Sequence, residues 1–271
     1  MPGKTKAELG AVQETLLIPL YYRSLEAKRE KPRIDAKYDV ELVNEIDYDF
    51  SKYTDKMSLE GCVVRSIILD REAQKYIDAH PDCVVINLGC GLCTRTKRID
   101  IKDAKWYNID LPDAIELRNK LMKNEKPNCY NIAKSMLDES WPADVNAEPG
   151  KDILIIVEGV FMYLTEEDIR KFVNIIKTNY KKAFCLFEIN HTMLISNAKH
   201  HQSINKTQAT IQWGIKHGKD FEKIAPGIKY FEEWNYFDMY EDQGMIFNIF
   251  SKISFVKNAC NKIATYEITS E

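Results

Sequence analysis

The sequence predicts an α/β fold, a mostly parallel sheet covered by helices on both faces, because short apolar runs alternate with charged helical segments from His80-Pro81 onward. Two more observations agree. The run 84–88 breaks directly into a glycine-containing turn, and a second apolar run soon after closes on Asp110. Ligands of open parallel sheets bind beyond the carboxyl ends of the strands, so a glycine turn and an acid at two such ends point to a nucleotide-type cofactor.

Taken in order, residues 9–31 have helical spacing with a charged end, and 39–46 offer a second short helix. Ser58 with Gly61 is a weak cap signal opening a long amphipathic stretch to about residue 79. Strands are expected at 84–88, 106–109, 129–133, 153–157 and 184–189, where β-branched and aromatic residues cluster. Between them, 112–123 reads as a helix with a favourable proline in its first turn, and 165–180 as one opened by a capping box of Thr165 and Asp168. Residues 191–223 break the rhythm, being polar, helical in part and rich in histidine and tryptophan; they read as an insertion over the active face. The last two strands are expected at 228–237 and 264–269, the second antiparallel.

A chain of 271 residues is long enough for a full core. We expect one domain: a helical N-terminal cap over 1–80, and a core over 81–271 with the insertion at about 191–225. With 38 basic and 41 acidic residues and a formal charge of -3, the composition does not suggest a nucleic-acid binder. The longest aliphatic run, 153–157, is too short to span a bilayer, and residues 1–10 lack the apolar centre of a signal peptide, which predicts a cytoplasmic protein. Seven scattered cysteines do not form a disulfide framework, and the glycosylation patterns at Asn190 and Asn205 are read as chance.

Chemistry-bearing residues fall at the strand ends. A dinucleotide fingerprint needs a third glycine where Thr94 stands, which weakens a nicotinamide reading. A cofactor without a pyrophosphate needs less from a helix terminus; the turn glycines Gly89 and Gly91 can take an amino-acid moiety while Asp110 accepts bonds from a ribose. S-adenosylmethionine fits that description. Glu158 ends an apolar strand before Gly159 and could meet the ammonium or sulfonium side of such a cofactor; the lesser alternative is a structural carboxylate capping the next turn. Arg65, on the polar side of the helix before the first strand, could hold a cofactor carboxylate. Phe161, Met162, Trp213, Trp234 and Tyr236 are core residues more often than contacts. Cys90-Gly-Leu-Cys93 has redox spacing, but no second pair supports zinc, and His200, His201 and His217 lack a metal-binding spacing.

Three motifs, Asn87-Leu-Gly-Cys-Gly-Leu-Cys-Thr-Arg95, Trp106-Tyr-Asn-Ile-Asp-Leu-Pro112 and Glu158-Gly-Val-Phe-Met-Tyr-Leu164, resemble those of the S-adenosylmethionine-dependent leucine carboxyl methyltransferase and tetracenomycin-type O-methyltransferase family. Residues 14–29 and Ile46-Asp-Tyr-Asp-Phe50 resemble its N-terminal helical cap. The resemblance implies a Rossmann-like class I methyltransferase sheet, mostly parallel with an antiparallel last strand. It implies O-methylation, closer to the small-molecule branch, with a carboxylate or hydroxyl acceptor. By it, Arg65 would hold the methionine carboxylate, Gly89 and Gly91 the turn, Asp110 the ribose, Ser135 and Met136 the adenine, and Glu158 the amino group. Cys93 stands where the family usually has Asp, which puts a cofactor hydrogen bond and the role of Arg95 in question. Tyr163, and Arg95 or Arg98, are candidates for holding the acceptor, and no residue announces itself as a general base. The rival readings are a catalytically silent S-adenosylmethionine-binding regulator, a protein C-terminal carboxyl methyltransferase and a nicotinamide-linked oxidoreductase. Oligomeric state and acceptor identity are not legible at this level.

Overall fold

A computed structural model describes residues 4–10, 12–193, 210–240 and 260–270. In chain order these form β1 (Thr5–Lys6), α1 (Leu17–Ala27), α2 (Lys37–Glu45), β2 (Ile46–Asp47), α3 (Lys56–Ala79), β3 (Val84–Leu88), α4 (Arg95–Arg98) and β4 (Lys105–Asp110). There follow α5 (Pro112–Leu121), β5 (Cys129–Ala133), α6 (Trp141–Asp144), β6 (Ile153–Val157), α7 (Glu166–Asn179), β7 (Lys182–Ile189), β8 (Ile228–Asn235) and β9 (Lys262–Thr269).

Seven strands form one sheet in the order β5-β4-β3-β6-β7-β9-β8. The β3, β4, β5, β6 and β7 pairings are parallel, and β9 runs antiparallel to both β7 and β8. Every residue of β3 and β6 is buried, as strands covered on both sides require. Alternate residues serve alternate faces. Val84, Ile86 and Leu88 pack with Ile169, Phe172 and Ile176 of α7, whereas Val85, Leu154 and Ile156 pack with Val64, Ile68 and Ala73 of α3. Strand order reverses between β3 and β6, and this opens the crevice beyond their carboxyl ends.

Within the expected cap, α3 lies directly on the sheet, while α1 and α2 pack with Leu92 and with Leu117, Leu121 and Met122 around α5. The helix expected over 9–31 is instead a 3-10 turn, Gln13–Leu16, followed by α1. The start of α3 also differs: Asp55, not Ser58, is the N-cap, its carboxylate accepting from the Met57 and Ser58 amides at 3.3 and 2.9 Å. Gly61 lies inside that helix. From the expected insertion, Trp213, Phe221 and Ile224 join the core; His200, His201, Asn205 and the rest of 194–209 lie outside the described residues.

The capping box of α7 is formed as expected. The Asp168 amide donates to Thr165 Oγ1 at 3.1 Å, and the Thr165 amide donates to Asp168 Oδ2 at 3.0 Å. Thr165→Ala should lower stability by about 1 kcal/mol, seen as a lower urea midpoint at unchanged slope.

Candidate active site

The crevice widens into a cavity of about 630 Å³ whose wall includes Arg65, Gly89, Asp110, Ser135, Glu158 and Tyr163. Gly91, Met136, Glu188, Asn190, Tyr236 and Asn261 also line it.

The turn after β3 depends on its glycines. Gly89 and Gly91 have φ of +64° and +46°, and a Cβ on Gly89 would stand 2.2 Å from Val160 Cγ2. The Gly89 amide donates to the Ile109 carbonyl at 2.8 Å, stitching the turn to the end of β4. Asp110 completes the link: its Oδ2 accepts from the Gly91 amide and its Oδ1 from the Leu111 amide, both at 2.7 Å. Burial raises the Asp110 carboxyl above its ordinary pKa, an effect those two amides offset only in part.

Thr94, at the missing third glycine, is buried and donates to Asp39 Oδ2 at 2.6 Å, tying the turn to the cap. The helix that follows, α4, has only four residues. The turn therefore lacks the long helix terminus on which a dinucleotide pyrophosphate rests. Cys93 lines the cavity and accepts a weak contact from Arg95 Nη1 at 3.6 Å. All seven cysteines are free, and burial pushes the Cys90 thiol well above its ordinary pKa, the reverse of a redox thiolate. No cluster of potential metal ligands occurs among the described residues, His217 included.

On the opposite wall the expected Arg65 and Glu158 meet. Arg65 Nε lies 2.8 Å from Glu158 Oε1, yet its N–H is not aimed there and is left as a buried donor without a hydrogen-bond acceptor. Arg65 Nη1 donates to Glu188 Oε2 at 2.9 Å, an oxygen that also accepts from the Gly159 amide at 2.7 Å. Glu158 Oε2 accepts from Arg95 Nη2 at 2.8 Å. Burial alone would raise the Glu158 pKa, but the Arg65 and Arg95 guanidiniums outweigh it and hold the carboxyl well below the ordinary range.

This pair belongs to a buried chain of alternating charge. From Glu188 it runs through Arg65, Glu158, Arg95, Asp70, Arg98 and Asp39 to Arg23, with every neighbouring pair in ion-pair contact. Four guanidiniums thus balance four carboxylates, so the interior carries no net charge along this line. Arg95 is wholly inside it, with no exposed side chain and no part in the cavity wall. The expectation that Arg95 holds the acceptor is therefore corrected: both faces of its guanidinium are spent on Asp70 and Glu158. Arg98 is likewise engaged with Asp70.

Tyr163 does line the cavity, and burial pushes its phenol up to about 12, so it remains protonated at neutral pH. Ser135 and Met136 follow β5 on the same side as Asp110. Phe161 and Trp213 are core, packed edge-on to one another, and Trp234 lies under Arg71 away from the cavity. Sequence reasoning missed Glu188, although it stands near the end of an apolar run just as Asp110 and Glu158 do. It placed Tyr236 where a substrate pocket would be built but weighed it as core, and passed over Asn190 and Asn261 as ligands.

The sequence profile of the leucine carboxyl methyltransferase family matches residues 17–177. The tetracenomycin polyketide synthesis O-methyltransferase TcmP of Streptomyces glaucescens is 32% identical over 232 residues, covering 85% of each chain. The S-adenosyl-L-methionine-dependent methyltransferase dpfgK of Gibberella zeae is 24% identical over 249 residues, covering 84% of each. In fold, the chain is similar to a candidate methyltransferase from Thermobifida fusca YX, with a TM-score of 0.59 at 14% identity, covering 94% of this chain and 95% of that one. A DUF574 family protein from Streptomyces avermitilis gives 0.60 at 9% identity, covering 93% and 96%.

Proposed function

Since the chain belongs to the leucine carboxyl methyltransferase family, we infer that its cavity binds S-adenosylmethionine between the Gly89 turn and the Arg65–Glu158 pair, and there methylates an oxygen of a small molecule. The observation that carries the binding mode is the Arg65–Glu158 pair with its unsatisfied Arg65 Nε. A zwitterionic amino acid inserted there brings a carboxylate for Arg65 and an ammonium for Glu158. The charge balance of the buried chain is kept, and the stray N–H gains an acceptor.

When bound, S-adenosylmethionine supplies a sulfonium methyl group that an oxygen nucleophile can take. Asp110 accepts from the ribose hydroxyls, with its carboxylate already oriented by the Gly91 and Leu111 amides. Ser135 and Met136 flank the adenine. Tyr163, a protonated phenol on the wall, donates to the acceptor oxygen and orients it. The enclosing apolar residues would keep water from competing for the methyl group, whose transfer to the acceptor oxygen would leave the S–C electron pair on sulfur. A carboxylate acceptor would arrive already ionised; a hydroxyl acceptor would pass its proton to solvent water, no side chain of the wall being assigned as its base.

We also place the protein in the cytoplasm, where seven unpaired cysteines are chemically at ease, and give it no nucleic-acid partner on the near-neutral charge. No helix among the described residues is long and apolar enough to cross a membrane. Calorimetry should show S-adenosylmethionine binding and no NADH binding, and labelled cofactor should transfer its methyl to a member of a panel of phenols and carboxylic acids. NADH binding without S-adenosylmethionine binding would sink the reading. Tight cofactor binding with no transfer to any acceptor would favour a silent regulator instead.

A further inference from the structure

We propose that Arg118, which takes no part in the cavity wall, is a positioning residue for the cofactor: it holds the glycine turn by its carbonyls and, through a ladder of three asparagines, turns the carboxamide oxygen of Asn87 toward the cofactor's amino group. The proposal rests on the cofactor placement given above, with that amino group at Glu158.

Arg118 of α5 is wholly buried. Its Nη1 donates to the Gly91 and Cys93 carbonyls, each at 3.0 Å, its Nε donates to Asn131 Oδ1 at 3.2 Å, and its Nη2 is paired with Glu125. The Leu92 carbonyl, between the two that Arg118 holds, accepts from Arg23 Nη2 at 3.2 Å. Gly91 is held at both ends, since its amide donates to Asp110. A guanidinium is a rigid planar fork, so the turn and the Asn131 side chain are locked in one mutual geometry that a lysine ammonium does not reproduce.

Asn131 of β5 pairs with Asn108 of β4, and Asn108 with Asn87 of β3, which lines up three carboxamides across three strands. Which end of each amide faces which neighbour is set by groups with only one role. Arg118 and the Trp106 indole only donate, so Asn131 and Asn108 meet them with Oδ1, the Trp106 bond being 3.0 Å. The Glu125 carboxylate only accepts, and it takes Asn131 Nδ2 at 2.9 Å. Asn108 Nδ2 then donates to Asn131 Oδ1 at 3.0 Å, and Asn87 Nδ2 to Asn108 Oδ1 at 3.3 Å. Asn87 is left with its Oδ1 on the other side, toward β6 and in the cavity wall, where no donor among the described residues meets it.

A ladder of this kind is not what packing alone selects. Its neighbours on the same face of the sheet are Val85, Trp106, Leu154 and Ile156, and replacing buried ion pairs by well-packed apolar side chains is often neutral or stabilising. Its place explains it. Asn87 pairs with Ile156, and Glu158 follows two residues later on the same face. Asn87 Oδ1 and the Glu158 carboxylate therefore flank one spot, and an ammonium there gains a neutral acceptor beside the charged one.

The test is calorimetry on the intact protein with two ligands, S-adenosylhomocysteine and its analogue lacking the α-amino group. The wild-type protein should prefer the amine. Asn87→Ala and Asn108→Ala should each narrow that preference about tenfold, the worth of one hydrogen bond to a charged group. Asn108 lies outside the cavity wall, so its effect on the amine has to pass through Asn87. Arg118→Lys keeps the charge and loses the fork; it should weaken both ligands by releasing the turn, and narrow the preference by the same factor. A ladder with a merely structural role would lower the melting temperature and leave the ratio of the two affinities at its wild-type value. That result in folded Asn108→Ala or folded Arg118→Lys overturns the proposal, and either variant suffices if the other fails to fold. A wild-type protein that binds neither ligand, or both alike, would instead overturn the cofactor placement on which the proposal rests.

Discussion

Replacing Asp110 with alanine should weaken S-adenosylmethionine binding on the order of 100-fold, because hydrogen bonds to a buried carboxylate are worth about 1.5–3 kcal/mol each and the ribose diol would lose both. The same substitution frees the Gly91 and Leu111 amides, so Asp110→Asn is the necessary companion. It keeps one oxygen for the turn but loses the charge, and it should still bind at least tenfold more weakly than wild type by calorimetry. Wild-type affinity or near it in both folded variants would remove Asp110 from the site. The pH dependence has a definite sign. Burial raises this carboxyl, so in the free protein its ionised form costs stability, a cost absent at low pH and felt as pH rises through the raised pKa. Cofactor binding needs the ionised form, so affinity should fall as pH drops through that same raised value.

Arg95→Leu should lower stability by about 3–5 kcal/mol, because it takes a buried guanidinium from between Asp70 and Glu158 and leaves both carboxylates short of charge. Chemical denaturation measures it. Adding Asp70→Asn should recover part of the loss by removing one stranded charge; additive losses in the double variant would contradict the alternating chain. Glu158 has its pKa held down in the folded protein, so its contribution is present above the unfolded glutamate value, about 4.3, and is lost as pH falls further. The gap between wild type and Arg95→Leu should therefore narrow below about pH 4.3. A purely packing role for Arg95 would leave the gap insensitive to pH.

The elements most legible in the sequence were the central strands, since a strand covered on both faces has to be apolar along its whole length. Val84–Leu88 and Ile153–Val157 fall where those runs begin and end. Helix starts were less legible. The cap of α3 sits at Asp55, three residues before a serine of equally suitable type, and only the side-chain geometry distinguishes them. In the site, Gly89, Gly91, Asp110 and Glu158 stood out because polar chemistry interrupts an apolar run there. Glu188 did not, because Ile189 follows it and carries the run onward. Arg95 and Arg98 read as candidates for holding the acceptor; what buries them away from it is contact with Asp70, on a helix about 25 residues earlier, which no local pattern encodes. Asn190, Asn261 and Tyr236 become neighbours only through the register of β7, β9 and β8, which pairs Ile189 with Lys262, 73 residues further on.

That register has a consequence for how the chain is made. β9 is the last of the seven strands in sequence, yet it lies inside the sheet between β7 and β8. During synthesis the first five sheet strands can zip together in parallel as they emerge, while β8 has nothing to pair with until Lys262–Thr269 arrives. Until then β7 presents an open edge, a template for pairing with other chains. The nascent protein is thus most exposed to aggregation in the interval just before the strand that also positions Asn261 is translated.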